Sequence, residues 1–137
     1  MIVVDTNVLA YLLIEGPRTG QARRLAEKAP GWRLPELWKI EFLNVLLNYW
    51  KFGGMESGEV EAVWDRSSRL DFVSEAPVSY AGAMRLARRF RVSAYDAAFL
   101  ALAESLGTVC VTEDRKLRQA APDLAVSMGD FLAAGPE

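Results

Sequence analysis

Histidine is absent from all 137 residues, and cysteine occurs once. Without histidine there is no imidazole base, no nitrogen ligand of the kind zinc usually takes, and no acid–base pair such as metal-free ribonucleases and triad hydrolases use, so those mechanisms leave consideration. The single cysteine, Cys110, lies in the apolar run Thr108-Val109-Cys110-Val111 and has no partner for an internal disulfide. It reads as a small buried thiol in a reducing compartment. Also missing is any uninterrupted apolar run near the roughly 18 residues a membrane span requires, and no basic residues precede the apolar start at Met1-Ile2-Val3-Val4. The expectation is a cytoplasmic protein without membrane contact. Basic charge is not in excess either: Lys and Arg total 16 against 18 Asp and Glu, a net −2, which argues against holding a polyanion through bulk positive charge.

What is present is a chain with 51% apolar residues, enough to fill one core, so residues 1–137 are expected to form a single domain. The β-branched run at 2–4 reads as a strand, followed by an apolar helix from Thr6 to Ile14. A helix over about 18–28 ends before Pro30-Gly31, an extended piece follows at 32–34, and Pro35 is expected to open a long helix to Phe52 before Gly53-Gly54. Further helices are expected over about 57–70, 79–90, 94–106 and 115–120, with a closing turn near 130–133. Strands are expected near 71–73, 108–111 and 124–126, and Gly135-Pro136-Glu137 reads as tail. Short apolar strands alternating with helices predict an α/β fold: a mainly parallel central sheet flanked by helices on both faces. Such sheets take ligands beyond the carboxyl ends of their strands. Asp5 directly follows the first strand and Asp114 comes three residues after Val111, so topology brings both to that edge.

Four acids stand at the edges of apolar segments: Asp5, Glu41, Asp96 and Asp114. Each has a plain structural alternative. Asp5 and Asp114 suit helix N-caps, Ser93-Ala94-Tyr95-Asp96 has capping-box spacing, and Glu41 shares a polar helix stripe with Asn44, Asn48 and Lys51. Brought together, however, such carboxylates repel by roughly 4 kcal/mol per close pair at an effective dielectric near 20, and they must protonate, meet cations or hold a hard divalent ion. The last outcome gives metal-dependent phosphodiester chemistry. Thr6, Asn7 and Thr112 are candidate supporting residues, Thr112 as a hydroxyl able to orient a ligating carboxylate. Arg115 and Lys116, next to Asp114, are the basic residues best placed for substrate phosphates. Those around Arg23-Arg24 and from Arg85 to Arg91 have a simple alternative as solvated helix faces.

These blocks resemble a family. Asp5-Thr6-Asn7-Val8-Leu9, Glu41 on the long helix, Ser93-Ala94-Tyr95-Asp96-Ala97, and Val111-Thr112-Glu113-Asp114-Arg115-Lys116-Leu117 together look like a PIN-domain ribonuclease, most closely the VapC toxins of VapBC toxin–antitoxin pairs, across essentially the full length. The resemblance implies a PIN-like three-layer fold and carries the family's metal-binding acids onto Asp5, Glu41, Asp96 and Asp114, with Asn7 and Thr112 at its supporting polar positions. It implies one or two Mg²⁺ or Mn²⁺ ions, in keeping with all-oxygen ligands. It further implies endoribonucleolytic cleavage of RNA by water, a homodimer, and a VapB-like antitoxin in a groove beside the acids. An aromatic groove near Glu41, with Trp50 and Trp64, would be its place. Two other readings compete with this one. A haloacid-dehalogenase-type phosphatase needs a second aspartate two residues after the first, where this chain has Asn7; a catalytically silent PIN-like RNA-binding or scaffold module differs in lacking EDTA-sensitive cleavage.

Overall fold

Three consecutive β-branched residues have few good alternatives to a buried strand. In the computed structural model, which describes residues 1–134, they form the central strand β1 (Ile2–Val4), buried at every position. Around it stand β2 (Trp32–Pro35), β3 (Val73–Ala76), β4 (Cys110–Val111) and β5 (Ala125–Val126), in one sheet of order β3-β2-β1-β4-β5 with every neighbouring pair parallel. The connecting helices are α1 (Thr6–Leu13), α2 (Thr19–Lys28), α3 (Trp38–Phe52), α4 (Ser57–Ser68), α5 (Tyr80–Phe90), α6 (Ala94–Leu106), α7 (Arg115–Ala120) and α8 (Met128–Ala133). The expected α/β architecture is therefore present.

The strand order fixes the layers. From β1 to β2 to β3 the chain steps outward in one direction, then crosses back over the sheet to β4. Right-handed crossovers put the helices of these oppositely directed connections on opposite faces. Accordingly α1 packs with α2, α3 and α4, while α6 lies against β1, β2 and β4 with α5 packed on it. The reversal between β1 and β4 is a topological switch point, where the connections leave the sheet in opposite directions, the place where sheets of this kind take their ligands.

Local chemistry sets the helix starts. Asp5, Ser79, Ser93, Asp114 and Ser127 each accept a hydrogen bond from a backbone N–H in the first turn of α1, α5, α6, α7 and α8. Gly107 closes α6 in the left-handed conformation at φ 66°, which costs glycine nothing.

Three boundaries differ from expectation. Pro35 does not open the long helix: it is the last residue of β2, paired with Ala76, and α3 begins at Trp38. A proline suits the end of a strand for the same reason it suits a helix start, because neither position needs its missing N–H. The strand expected at 71–73 runs from Val73 to Ala76; β3 is an edge strand whose Ser74 and Glu75 are exposed, so it lacks the apolar run that marks buried strands. The closing helix starts at Met128, earlier than expected, because Ser127 caps it. The expected tail, 135–137, lies outside the described residues.

Candidate active site

Asp5 is placed by two elements at once. Its amide donates to the carbonyl of Val111 at 3.0 Å, continuing the β1–β4 ladder, and its side chain caps α1 by accepting from the amide of Asn7 at 3.3 Å. The other carboxylate oxygen, Oδ2, accepts from the hydroxyl of Thr112 at 2.8 Å. That hydroxyl in turn accepts from the amide of Asp114 at 3.0 Å. Thr112 is fully buried, so its proton is directed at Asp5 while one of its lone pairs faces the loop that carries Asp114. Thr112 thus ties the ends of β1 and β4 together.

Asp114 caps α7, its Oδ1 accepting from the amide of Leu117 at 3.1 Å. Asp96 sits in the first turn of α6, where its amide donates to Ser93 Oγ at 3.1 Å. Glu41, from the first turn of α3, is partly buried, and its Oε1 accepts from the hydroxyl of Thr6 at 3.2 Å. The structural alternatives weighed for Asp5 and Asp114 are therefore real caps, yet capping does not account for how the four carboxylates meet.

What links them is electrostatic. Burial pushes the Asp5 carboxyl up from its ordinary value, against the Thr112 and Asn7 hydrogen bonds, and the charge of Asp114 adds to the rise. Asp96 is raised by burial first, then by Asp114 and Asp5. Glu41 is raised to about 6, chiefly by burial, with Asp5 and Asp96 adding to it and the Thr6 hydrogen bond working against it. The charge of Asp114 thus reaches Asp5 and Asp96, that of Asp5 reaches Asp96 and Glu41, and that of Asp96 reaches Glu41. No Lys or Arg offsets them: the ion pairs among the described residues join Arg23 to Glu15, Lys39 to Glu75, Arg69 to Asp65 and Arg85 to Glu104, all away from this cluster.

The donor set is all carboxylate oxygen with uncompensated negative charge, which suits a hard divalent cation and not a thiophilic one. Among the described residues no three acidic side chains are already drawn around a single point. The two facts agree, since charges influence one another over roughly 6 Å whereas metal–oxygen bonds are about 2.0–2.6 Å long. The acids lie within reach of one another's charge without forming a closed cage.

Comparison with known proteins fits this geometry. A family model for the PIN domain matches residues 2–122. The chain belongs to the PIN-domain family. It is 32% identical over 127 residues to ribonuclease VapC3 of Pyrobaculum aerophilum, covering 90% of this chain and 96% of that protein. It is similar in fold to a crystal structure from Pyrobaculum aerophilum, with TM-score 0.73 and 21% identity over 96% of this chain and 93% of the other. A toxin–antitoxin complex from Klebsiella pneumoniae contains a chain with TM-score 0.68 and 19% identity, covering 93% of this chain and 98% of that one.

Around the acids of this PIN domain the remaining candidates divide. Arg115 and Lys116 are exposed on the first turn of α7, directly after Asp114. Asn7 is exposed and lines a shallow groove of about 510 Å³ with Val45, Asn48, Tyr49 and Phe52. Glu113 has a structural job: its carboxylate accepts from the amide of Met128 at 3.0 Å and holds the start of α8. Trp64 covers part of α3, stacking on the buried Phe42 with ring centroids 6.2 Å apart, and lines a separate pocket with Trp38 and Lys39. Trp50 remains 46% exposed on α3. The link that sequence reasoning missed is Thr6 to Glu41, which spans 35 residues and follows no local spacing rule.

Proposed function

We propose that this PIN domain is a metal-dependent endoribonuclease and the toxin of a toxin–antitoxin pair, with Asp5, Glu41, Asp96 and Asp114 as its catalytic, metal-binding acids. The observation that carries this reading is a set of four carboxylates linked by their charges near the switch point of the sheet, none of them in an ion pair among the described residues. The ribonuclease relative supports RNA as substrate. A bound Mg²⁺ or Mn²⁺ would supply Lewis acidity, making water a competent nucleophile at neutral pH and neutralising charge that develops on the scissile phosphate.

The chain's own residues then divide the labour. Asp5, held on both oxygens, is the fixed centre of the ligand set, with Thr112 orienting it. Asp96 and Asp114 complete the set from α6 and α7. Glu41 closes it from α3 and, with its affinity for a proton raised, is suited to orient or deprotonate water. Arg115 and Lys116 meet substrate phosphates beside Asp114. No side chain serves as covalent nucleophile, so cleavage should leave 5′-phosphate and 3′-hydroxyl ends.

The same reading includes a homodimer and a small antitoxin partner. The toxin–antitoxin neighbour supports the antitoxin, and the apolar side chains that α3 leaves exposed, with the groove beside Asn7, offer a segment of it a place next to the acids. The decisive test is cleavage of RNA with and without EDTA, by wild type and by Asp5→Asn, Asp96→Asn and Asp114→Asn. Loss of at least about 100-fold in each variant and in EDTA is expected, with the fold retained. Full cleavage by the variants would remove the acids from the mechanism, and no cleavage by wild type under any divalent ion would leave the silent scaffold.

A further inference from the structure

Among the four acids, Glu41 has the longest and most flexible side chain. Asp5 accepts hydrogen bonds on both oxygens, from Asn7 and Thr112, and Asp114 accepts from the amide of Leu117. Asp96 has a short side chain on α6, whose following seven residues are all buried. Glu41 has a longer side chain, with one more rotatable bond, on α3, a helix whose buried residues are only Trp38, Phe42 and Leu46. Among the described residues its carboxylate has one side-chain hydrogen-bond partner, the Thr6 hydroxyl at 3.2 Å, and no Lys or Arg within ion-pair distance. Like charge from Asp5 and Asp96 acts against its staying inside the cluster.

Thr6 is unusually placed to resist that. It is 3% exposed, so its rotamer is fixed by packing, and it is the first residue of α1, directly after Asp5. Its backbone favours the charged Asp5 carboxylate while its side chain holds Glu41. A single buried residue thereby relates an acid of the sheet to an acid of a neighbouring helix.

We infer that Thr6 is a positioning residue for Glu41, its buried hydroxyl keeping that carboxylate inside the acidic cluster and so setting how tightly the cluster takes up a divalent cation. This rests on the proposed assignment of the four acids as the metal-binding set. Threonine is suited to the task because the hydroxyl both donates and sits on a β-branched side chain with few rotamers.

The test is calorimetric titration with Mn²⁺ of the intact protein, purified free of antitoxin, as wild type, Thr6→Val, Thr6→Ser, Glu41→Gln and the double variant Thr6→Val/Glu41→Gln. Valine keeps the shape and removes the donor; serine keeps the donor. Thr6→Val should bind Mn²⁺ about 10-fold more weakly, as expected on losing a group that orients a ligand, and Thr6→Ser should stay close to wild type. In the Glu41→Gln background Thr6→Val should cost nothing further, because the residue acts only through Glu41. Wild-type affinity in Thr6→Val, or the same loss repeated in the Glu41→Gln background, would overturn the inference while leaving the acid assignment intact. Unchanged Mn²⁺ affinity in Glu41→Gln itself would instead remove Glu41 from the metal-binding set, and the inference with it. Should Thr6→Val fail to fold in EDTA, Thr6→Ala replaces it in the same cycle.

Discussion

Helices α3 and α6 look alike in sequence and differ in the fold. Both are long, apolar on most of their circumference, and carry one acid in the first turn, Glu41 and Asp96. Yet α6 buries every residue from Ala97 to Ala103, whereas α3 buries only Trp38, Phe42 and Leu46 and leaves Ile40, Leu43, Leu47, Tyr49, Trp50 and Phe52 exposed. The cause is position. α6 lies across three strands with α5 packed over it, and its alanines at 97, 98, 101 and 103 permit close approach. α3 belongs to the outer shell and touches α1 and α4 through a single stripe spaced four residues apart. An apolar helix is thus evidence of a second surface to cover, and only topology says whether the chain itself supplies it.

The largest expected effect lies in α6. Leu100 is fully buried against the sheet, so Leu100→Ala should lower unfolding free energy by about 2–5 kcal/mol, the transfer loss plus the cavity. Leu43→Ala on the exposed side of α3 should cost under about 1 kcal/mol. Urea unfolding in EDTA measures both, and equal losses would show that α3 is as much a part of the core as α6.

A smaller effect, read by pH, concerns the acid that each helix carries. The Glu41 carboxyl titrates near 4.5 ordinarily and near 6 in the folded protein. Below about pH 4.5 it is protonated folded or unfolded and contributes nothing; above about 6 it is ionised in both states and the fold bears the full cost. Its contribution to metal-free stability therefore falls as pH rises through that window. Asp96, also raised, acts in the same direction. Glu41→Gln should flatten the pH dependence of urea midpoints between pH 4.5 and 6 in EDTA, and a saturating divalent ion should stabilise the wild type most at the upper end, where the acids are ionised. A slope unchanged by Glu41→Gln would mean that its burial carries no such cost.

Much of this was legible in the sequence, for reasons that differ by element. The parallel α/β fold could be read because β1 is wholly β-branched and α6 and α7 begin at side-chain caps and fall at their expected bounds. β3 was misplaced because an edge strand with Ser74 and Glu75 has no apolar signature, and Pro35 was misassigned because one residue type serves two kinds of boundary. The four acids were legible by their positions at segment edges, and the charges of Asp5, Asp96 and Asp114 reach their neighbours among them. The hydroxyl contacts that hold two of them were less so: Thr112 to Asp5 spans 107 residues and Thr6 to Glu41 spans 35, and periodicity speaks only of neighbours. The exposed face of α3 was readable as apolar excess, but not its division, in which Trp64 turns inward onto Phe42 and Trp50 stays outside.

The smallest expected effect on the fold falls on that outer face. Ile40 is 73% exposed, so replacing it with alanine removes little buried area, and alanine's better helix propensity returns a few tenths of a kcal/mol. Unfolding free energy should stay within about 0.5 kcal/mol of wild type. Trp50 gives up more surface and should cost somewhat more, still well below Leu100. If the exposed side of α3 is where the proposed antitoxin seats, the order reverses in binding. Truncating a half-exposed tryptophan at an interface removes a rigid apolar anchor, and such residues carry about 2 kcal/mol or more where they are fully covered by a partner. Trp50→Ala should then weaken the antitoxin complex by at least about 10-fold in a calorimetric titration while Leu100→Ala, at a temperature where it remains folded, leaves that affinity unchanged. A complex indifferent to Trp50→Ala and Ile40→Ala together would place the partner elsewhere and leave the apolar side of α3 without an occupant.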